Sequence, residues 1–193
     1  MKGYFGVYWT FPVPWAGLTG FHDVEHAARI SRTIRYQREV IRRFATFERG
    51  TVEAEAAFME QAPDRGTPEV AAEIAQTVNK RPDLTPVLVD FAEVLGWRRH
   101  YELKKRMEAA RAVFLLPDEL LMDGQSFDPK QHFRDWAERW STHAATKDDH
   151  RATILAAVKD ASPPLAAHLN QLGLRTHTGK EWTSDNLRKF LKG

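Results

Sequence analysis

The feature that most constrains this chain is an alternation. Short runs of aromatic and β-branched residues are each followed by a segment with apolar residues at helical spacing. Residues 2–10 carry Tyr4, Phe5, Val7, Tyr8 and Trp9, residue types that favour a pleated, buried strand. A loop containing proline and glycine follows, through Gly20. The segment 23–48 reads as one long helix with Ala27, Ile30, Ile34, Val40, Ile41, Phe44 and Phe47 on its apolar stripe. Asp23 is its expected N-cap and Gly50 its expected stop. Residues 51–59 alternate as a strand. Thr67 as cap and Pro68 at the first helical position open a helix to about Val78. Thr85 to Phe91, with Val87-Leu88-Val89 at its centre, suits a strand covered on both faces. A helix from Trp97 to Ala110, a strand near 112–116 and a helix after Asp128-Pro129 complete the pattern. The fold class this predicts is α/β, a largely parallel sheet flanked by helices.

Composition narrows the function. With 193 residues and 42% hydrophobic content, the chain can bury a core without covalent staples. There are no cysteines, so disulfides, cysteine-ligated metals and cysteine nucleophiles are excluded. No run approaches the roughly 18 apolar residues of a membrane span. Phe11-Pro12-Val13-Pro14-Trp15 interrupts any secretory leader, so a cytoplasmic protein with no membrane contact is expected. Charge is uneven. Residues 151–193 hold seven Lys/Arg against three acids, a net of +4, which leaves −2 for the first 150 residues. A basic tail on a mildly acidic body suits nucleic-acid contact. The polar stretch 146–150 reads as a linker between a body, 1–146, and a module, 151–193.

Within that module, residues 152–160 form a first helix carrying Ile154, Leu155 and Val158. Ser162-Pro163-Pro164 reads as a cap with prolines at the first helical positions, and Leu165 to Leu172 as a second helix stopped by Gly173. Thr183 or Ser184 caps a third helix with Leu187, Phe190 and Leu191 facing inward. Three short helices ending in a basic one describe a small all-α helix-turn-helix module.

The stretch from Leu169-Asn170 through Gly173-Leu174, Thr176, Gly179 and Trp182-Thr183, followed by Leu187 and Leu191, resembles the DNA-binding region of serine recombinases. That family reads Leu-Asn-x-x-Gly-Ile/Leu-x-Thr-x-x-Gly-x-x-Trp-Thr/Ser before a helix of the type x-x-Val/Leu-x-x-x-Leu. Ala166-Ala167 sits where the family has Ile-Ala. The resemblance implies double-stranded DNA as partner. It places Arg175, Thr176, Lys180, Thr183, Ser184, Asn186, Arg188 and Lys189 at the interface. Arg175, Lys180, Arg188 and Lys189 would meet phosphate. Asn186 and Arg188 would approach base edges as readers of adenine and guanine. A module this small implies a homodimer or a protein partner, and the location implied is nucleoid-associated.

The front of the chain resembles the same family and departs from it at the chemistry. Serine recombinases open with a strand reading Tyr-x-Arg-Val-Ser, whose serine attacks a DNA phosphate while arginines stabilise the transferring group. Here the strand is Tyr4-Phe5-Gly6-Val7-Tyr8, with Gly6 for the arginine and Tyr8 for the serine. The family's long first helix carries spaced glutamines, and Tyr36-Gln37-Arg38 lies on the corresponding segment. The family's Leu-Asp-Arg-Leu-Gly/Ser-Arg appears as Ala92-Glu93-Val94-Leu95-Gly96-Trp97, where Val94 and Trp97 replace both arginines. The implied body is a resolvase-like domain that has lost its catalytic residues and is kept for packing, dimerisation or partner binding.

Other patterns were weighed against it. His22-Asp23-Val24-Glu25-His26 matches H-x-x-E-H, yet reads as a capped, solvated helix start, so no metal or cofactor is expected. Arg29, Arg32, Arg35, Arg38, Arg42, Arg43 and Arg49 suit either phosphate contact or a salt-bridged face with Glu25, Glu39 and Glu48. Trp136 and Trp140, four apart, read as core or dimer interface. The expectation is a DNA-binding regulator or architectural factor. The alternatives are an active DNA-cleaving recombinase or nuclease with a rearranged site, in which Tyr8 or His22 would take part, and a protein-interaction module without DNA binding.

Overall fold

The computed structural model describes residues 2–63, 65–95 and 100–192. Strand β1 (Gly3–Thr10) is buried from Tyr4 onward. It pairs in parallel with β2 (Thr51–Met59) on one side and β3 (Thr85–Val89) on the other, and β3 pairs in parallel with β4 (Val113–Leu115). The order is β2-β1-β3-β4, the mixed α/β parallel sheet expected. Successive side chains of a strand point to opposite faces, and β1 shows it. Tyr4 meets Phe44 of α2 (Arg32–Phe47), while Trp9 meets Phe91 and His100. Gln37 on α2 clamps the end of β1: its Oε1 accepts Trp9 N–H at 3.1 Å and its Nε2 donates to Trp9 O at 2.7 Å. Buried Ile34, Ile41, Val7 and Val87 make the core around that clamp, each worth roughly 1.5–3 kcal/mol of transfer energy.

The long helix expected over 23–48 is two helices, α1 (Val24–Ile30) and α2, split at Ser31. Ser31 is buried and extended, and its Oγ accepts Ile34 N–H at 3.2 Å, so it caps α2. Asp23 caps α1 as expected, accepting His26 N–H at 2.7 Å. Ile30 and Phe47, expected on the apolar stripe, are exposed. The residue that ends α2 in a left-handed conformation is Arg49, at φ 56°. Gly50 answers a different need: a Cβ there would lie 2.5 Å from Lys2 O.

Helix α3 (Pro68–Asn79) begins as expected, with Thr67 Oγ1 accepting Val70 N–H at 3.4 Å. The helix expected over 97–110 is α4 (Ala92–Leu95) and α5 (Tyr101–Ala109), and residues 96–99 lie outside those described. A hairpin of β5 (Leu120–Met122) and β6 (Gln125–Phe127) was not anticipated. Asp123 and Gly124, at φ 52° and 75°, make its two-residue turn. Helix α6 (Pro129–Ala145) follows.

The expected linker at 146–150 is instead the start of α7 (Lys147–Lys159). Asp148 and Asp149 occupy its first turn, where the helix dipole favours acids. Helix α8 (Leu165–Gln171) takes Pro164 rather than Ser162 at its N-cap, with no side-chain cap bond. Gly173, at φ 72°, stops it, and Leu174 N–H bonds back to Leu169 O at 3.0 Å. Helix α9 (Ser184–Lys192) closes the chain. Ile154, Leu169, Trp182 and Leu187 form the core of these three helices, with Phe190 packed against it, while Leu155 is exposed and Leu191 faces outward against expectation.

The chain divides into Met1–Pro12 with Gly20–Arg134, and Val13–Thr19 with Asp135–Gly193. The division falls within α6 rather than at 146, and the second unit recruits a segment of the β1–α1 loop. Among the described residues no helix is long and apolar enough to cross a membrane.

Candidate functional site

In the second unit, everything around α9 serves to fix its start. Asn170 on α8 grips the backbone of Trp182 from both sides. Its Nδ2 donates to Trp182 O and its Oδ1 accepts Trp182 N–H, each at 2.9 Å. Trp182 itself is buried against Phe190. Thr183 and Asn186 then cap the helix reciprocally: Asn186 N–H donates to Thr183 Oγ1 at 3.2 Å, and Thr183 N–H donates to Asn186 Oδ1 at 2.8 Å. This is a capping box with asparagine in the third position. Asn186 Nδ2 also donates to Glu181 O at 3.1 Å. Both ends of the amide expected to read adenine are thus occupied within the cap.

The other expected interface residues divide into framework and surface. Arg175 Nη1 donates to Asn170 O at 3.2 Å and its Nη2 lies 3.4 Å from Glu181 Oε1, so it ties α8 to the loop. Thr176 closes a turn onto Lys180: its N–H donates to Lys180 O at 2.8 Å and its Oγ1 accepts Lys180 N–H at 2.9 Å. Gly179 in that turn has φ 78°, and a Cβ there would lie 2.6 Å from Thr19 Cγ2. Ser184, Arg188 and Lys189 are exposed on α9, whose Leu187 is buried. Asp185 holds both cations, Arg188 at 2.6 Å and Lys189 at 2.8 Å, and the hydrogen bond from Lys189, then that from Arg188, lowers its carboxyl pKa. Arg151, counted above among the basic residues of the tail, donates to Phe190 O at 3.0 Å and covers the Phe190 ring.

In the first unit, Gly6 and Tyr8 lie two apart on the α2 face of β1. The Tyr8 ring folds back over Gly6: a Cβ at residue 6 would sit 2.5 Å from the Tyr8 hydroxyl oxygen. That hydroxyl donates to Glu55 Oε1 at 2.7 Å. Arg38 reaches the same carboxylate with Nε and Nη2 at 3.0 Å each, Arg42 with Nε at 3.2 Å and Nη2 at 3.1 Å, and Arg38 also pairs with Glu25. Burial resists ionisation of Glu55, but the donors from Arg38, Tyr8 and Arg42 prevail and hold its pKa down at about 2. Burial and the Glu55 carboxylate push the Tyr8 phenol well above its usual range. The phenol is buried and gives its hydrogen to the Glu55 carboxylate. Val94 is half-buried on α4, and Trp97 lies outside the described residues.

At the carboxyl ends of β1 and β3 lies a cavity of about 110 Å³, lined by Trp9, Phe91, Phe114, His100, Asp90 and Lys104. Here the connections leave the sheet to opposite sides, the usual ligand position of such sheets. Lys104 Nζ pairs with Asp90 at 3.0 Å. Beside it the buried His100 Nε2 and Glu60 Oε1 approach to 2.7 Å without lining up as a hydrogen bond. Glu60 Oε2 accepts Thr67 N–H at 3.0 Å and Thr67 Oγ1–H at 3.1 Å. Glu60 and His100 are 40 positions apart, and only the fold brings them together.

His22 and His26 stack at 4.0 Å, and among the described residues no group of three or more His, Asp or Glu side chains is placed to hold a metal ion. Trp136 is buried, and stacks on Trp140 at 6.2 Å. Comparison with protein-family models, curated proteins and solved structures returned no match.

Proposed function

We propose that the protein binds double-stranded DNA through α9, as a relative of serine recombinases that has lost strand exchange and acts as a regulator or architectural factor. The observation that carries this reading is the division of α9. One side buries Leu187 and Phe190 on Trp182, and the other presents Ser184, Arg188, Lys189 and Lys192 to solvent behind a fully bonded N-terminal cap. A capped helix with a cationic outer face fits the major groove, where its first turn approaches base edges and its cations neutralise phosphates. The Gly6–Tyr8–Glu55 packing supports the second half of the proposal, since it fills the strand end where the resemblance puts nucleophile and arginine.

The test is a fluorescence-anisotropy titration of the full chain against mixed-sequence duplex at about 50 and about 200 mM salt. Three phosphate contacts weaken binding by about 40-fold across that range. Arg188→Ala and Lys189→Ala should each flatten the salt dependence by about one phosphate. Asp185→Asn should strengthen binding, because it releases both cations. Absent or salt-independent binding refutes the proposal. Point variants are preferable to a cut after His150, because that cut severs α7 in its first turns.

A further inference from the structure

Three imidazoles of the second unit converge on one loop. His143 of α6 places Nε2 2.8 Å from His177 O, and His177 places Nε2 3.0 Å from His143 O. His150 of α7 places Nε2 2.8 Å from Arg175 O. A carbonyl only accepts, so each Nε2 carries its proton and each Nδ1 is bare in the neutral ring. The His143 and His177 rings stack at 4.2 Å with 14° between planes, and His150 meets His177 edge-on at 5.4 Å. The residues lining the adjoining cleft include these three histidines and Arg175 but no carboxylate.

We propose that His143, His150 and His177 form an acid-released clasp that holds residues 175–179 on the α6–α7 corner and so steadies the approach to α9. The clasp bonds themselves survive protonation, because Nε2 keeps its hydrogen. What changes is charge. A second imidazolium must form at stacking distance from the first, and a third at edge distance, and opening the loop relieves that repulsion. The charged or titratable groups facing His177 are His143, His150 and Lys147, with Arg175 on the same loop. The charges of His143, His150 and Lys147 oppose its protonation, while its hydrogen bond to the His143 carbonyl favours it. Burial first, then His143, lowers the pKa of His177 below 6.5. The open loop therefore binds protons more readily than the closed one, and the clasp weakens as pH falls below about 6.5. The regulatory meaning rests on the DNA-binding proposal: acid would loosen the segment that leads into the Thr183 cap.

The test uses the full chain without DNA. Amide hydrogen exchange and imidazole NMR shifts are followed from about pH 7.5 to about pH 5.5, across the titration range of histidine. The amides of Gly179 and Lys180, which bond to Thr176, should exchange severalfold faster at the acid end after correction for intrinsic rate. The amide of Leu187, bonded to Thr183 O, should not change. His143→Gln keeps a donor for His177 O and removes one charge, so loop opening should move to lower pH. His150→Gln gives the same reading if the first variant does not fold. Three histidines titrating independently near 6.5, or loop protection that ignores pH, overturns the clasp. DNA affinity at neutral pH is a separate readout, so the clasp and the DNA-binding proposal fail separately.

Discussion

Asn170 offers the sharpest test of how α9 is held. Its side chain makes two hydrogen bonds of 2.9 Å to the backbone of Trp182, a residue only 4% exposed. Asn170→Ala removes both partners at once and leaves a peptide N–H and a C=O without replacement next to the core. Each bond contributes about 1 kcal/mol net, and each buried group left unsatisfied costs about 1–3 kcal/mol. For the two groups the expected loss is therefore about 2–6 kcal/mol, large for a residue that is only half-buried itself. Asn170→Asp separates the two bonds. It keeps an acceptor for Trp182 N–H but sets a carboxylate oxygen against Trp182 O. That variant should be destabilised near neutral pH and recover toward about pH 4, where a protonated carboxyl donates again. Urea denaturation followed by tryptophan fluorescence, with unchanged m, reads both effects. A loss below about 0.5 kcal/mol for Asn170→Ala, the size of an ordinary surface substitution, would show that the core positions Trp182 without the clamp.

Two further predictions concern the first unit. Gly6→Ala forces a Cβ to within 2.5 Å of the Tyr8 hydroxyl and should cost about 1–3 kcal/mol, as overpacking does. In a Tyr8→Ala background most of that cost should vanish, and a double-mutant cycle without coupling refutes the contact. Glu55, with its pKa held at about 2 in the folded protein against an ordinary 4.5, contributes about 3 kcal/mol at neutral pH. The sign follows from the depressed pKa. The contribution is complete above about pH 4.5 and lost as pH falls toward 2, so Glu55→Gln should be destabilising at pH 7 and nearly silent near pH 2.

The sheet was legible because its central strands are buried on both faces. Tyr4 to Trp9 and Val87 to Val89 read as strands for the same reason that they pack as strands. The split at Ser31 was not legible by periodicity, since Ala27 and Ile34 continue one stripe across it. The cue was chemical: a serine three residues before Ile34, which caps it. The β5–β6 hairpin has a short-range signal in Asp123-Gly124, which follows the apolar run Leu120-Leu121-Met122. The polar stretch at 146–150 looked like a linker by composition, yet threonine before two aspartates is also how a helix begins. Of the expected interface residues, position in the module was legible and role was not. Whether Asn186 faces solvent or its own cap depends on the turn before it, which side-chain type does not reveal. The His143–His177 stack and the Glu60–His100 contact join residues 34 and 40 positions apart, and no local pattern marks them.

Under the proposed relationship to recombinases, the structure accounts differently for what matches that family and what departs from it. Gly6 and Tyr8 replace arginine and serine at positions two apart on one face of β1. They are sterically one change, because the Tyr8 ring occupies the space that a side chain at residue 6 would need. Restoring either family residue alone therefore fails. Gly6→Arg meets the Tyr8 hydroxyl, and Tyr8→Ser removes the phenol's hydrogen bond to Glu55, which keeps its donors from Arg38 and Arg42, and leaves the space over Gly6 unfilled. The matching positions of the second unit are explained by framework duties. Asn170 grips Trp182, Gly173 and Gly179 adopt left-handed backbone angles, and Thr183 caps α9. None of these duties needs contact with a base. A pattern of this kind specifies how the third helix is mounted and leaves its outer face open, so the residues that would choose a DNA sequence are to be sought at Ser184, Arg188 and Lys192, which the pattern does not fix.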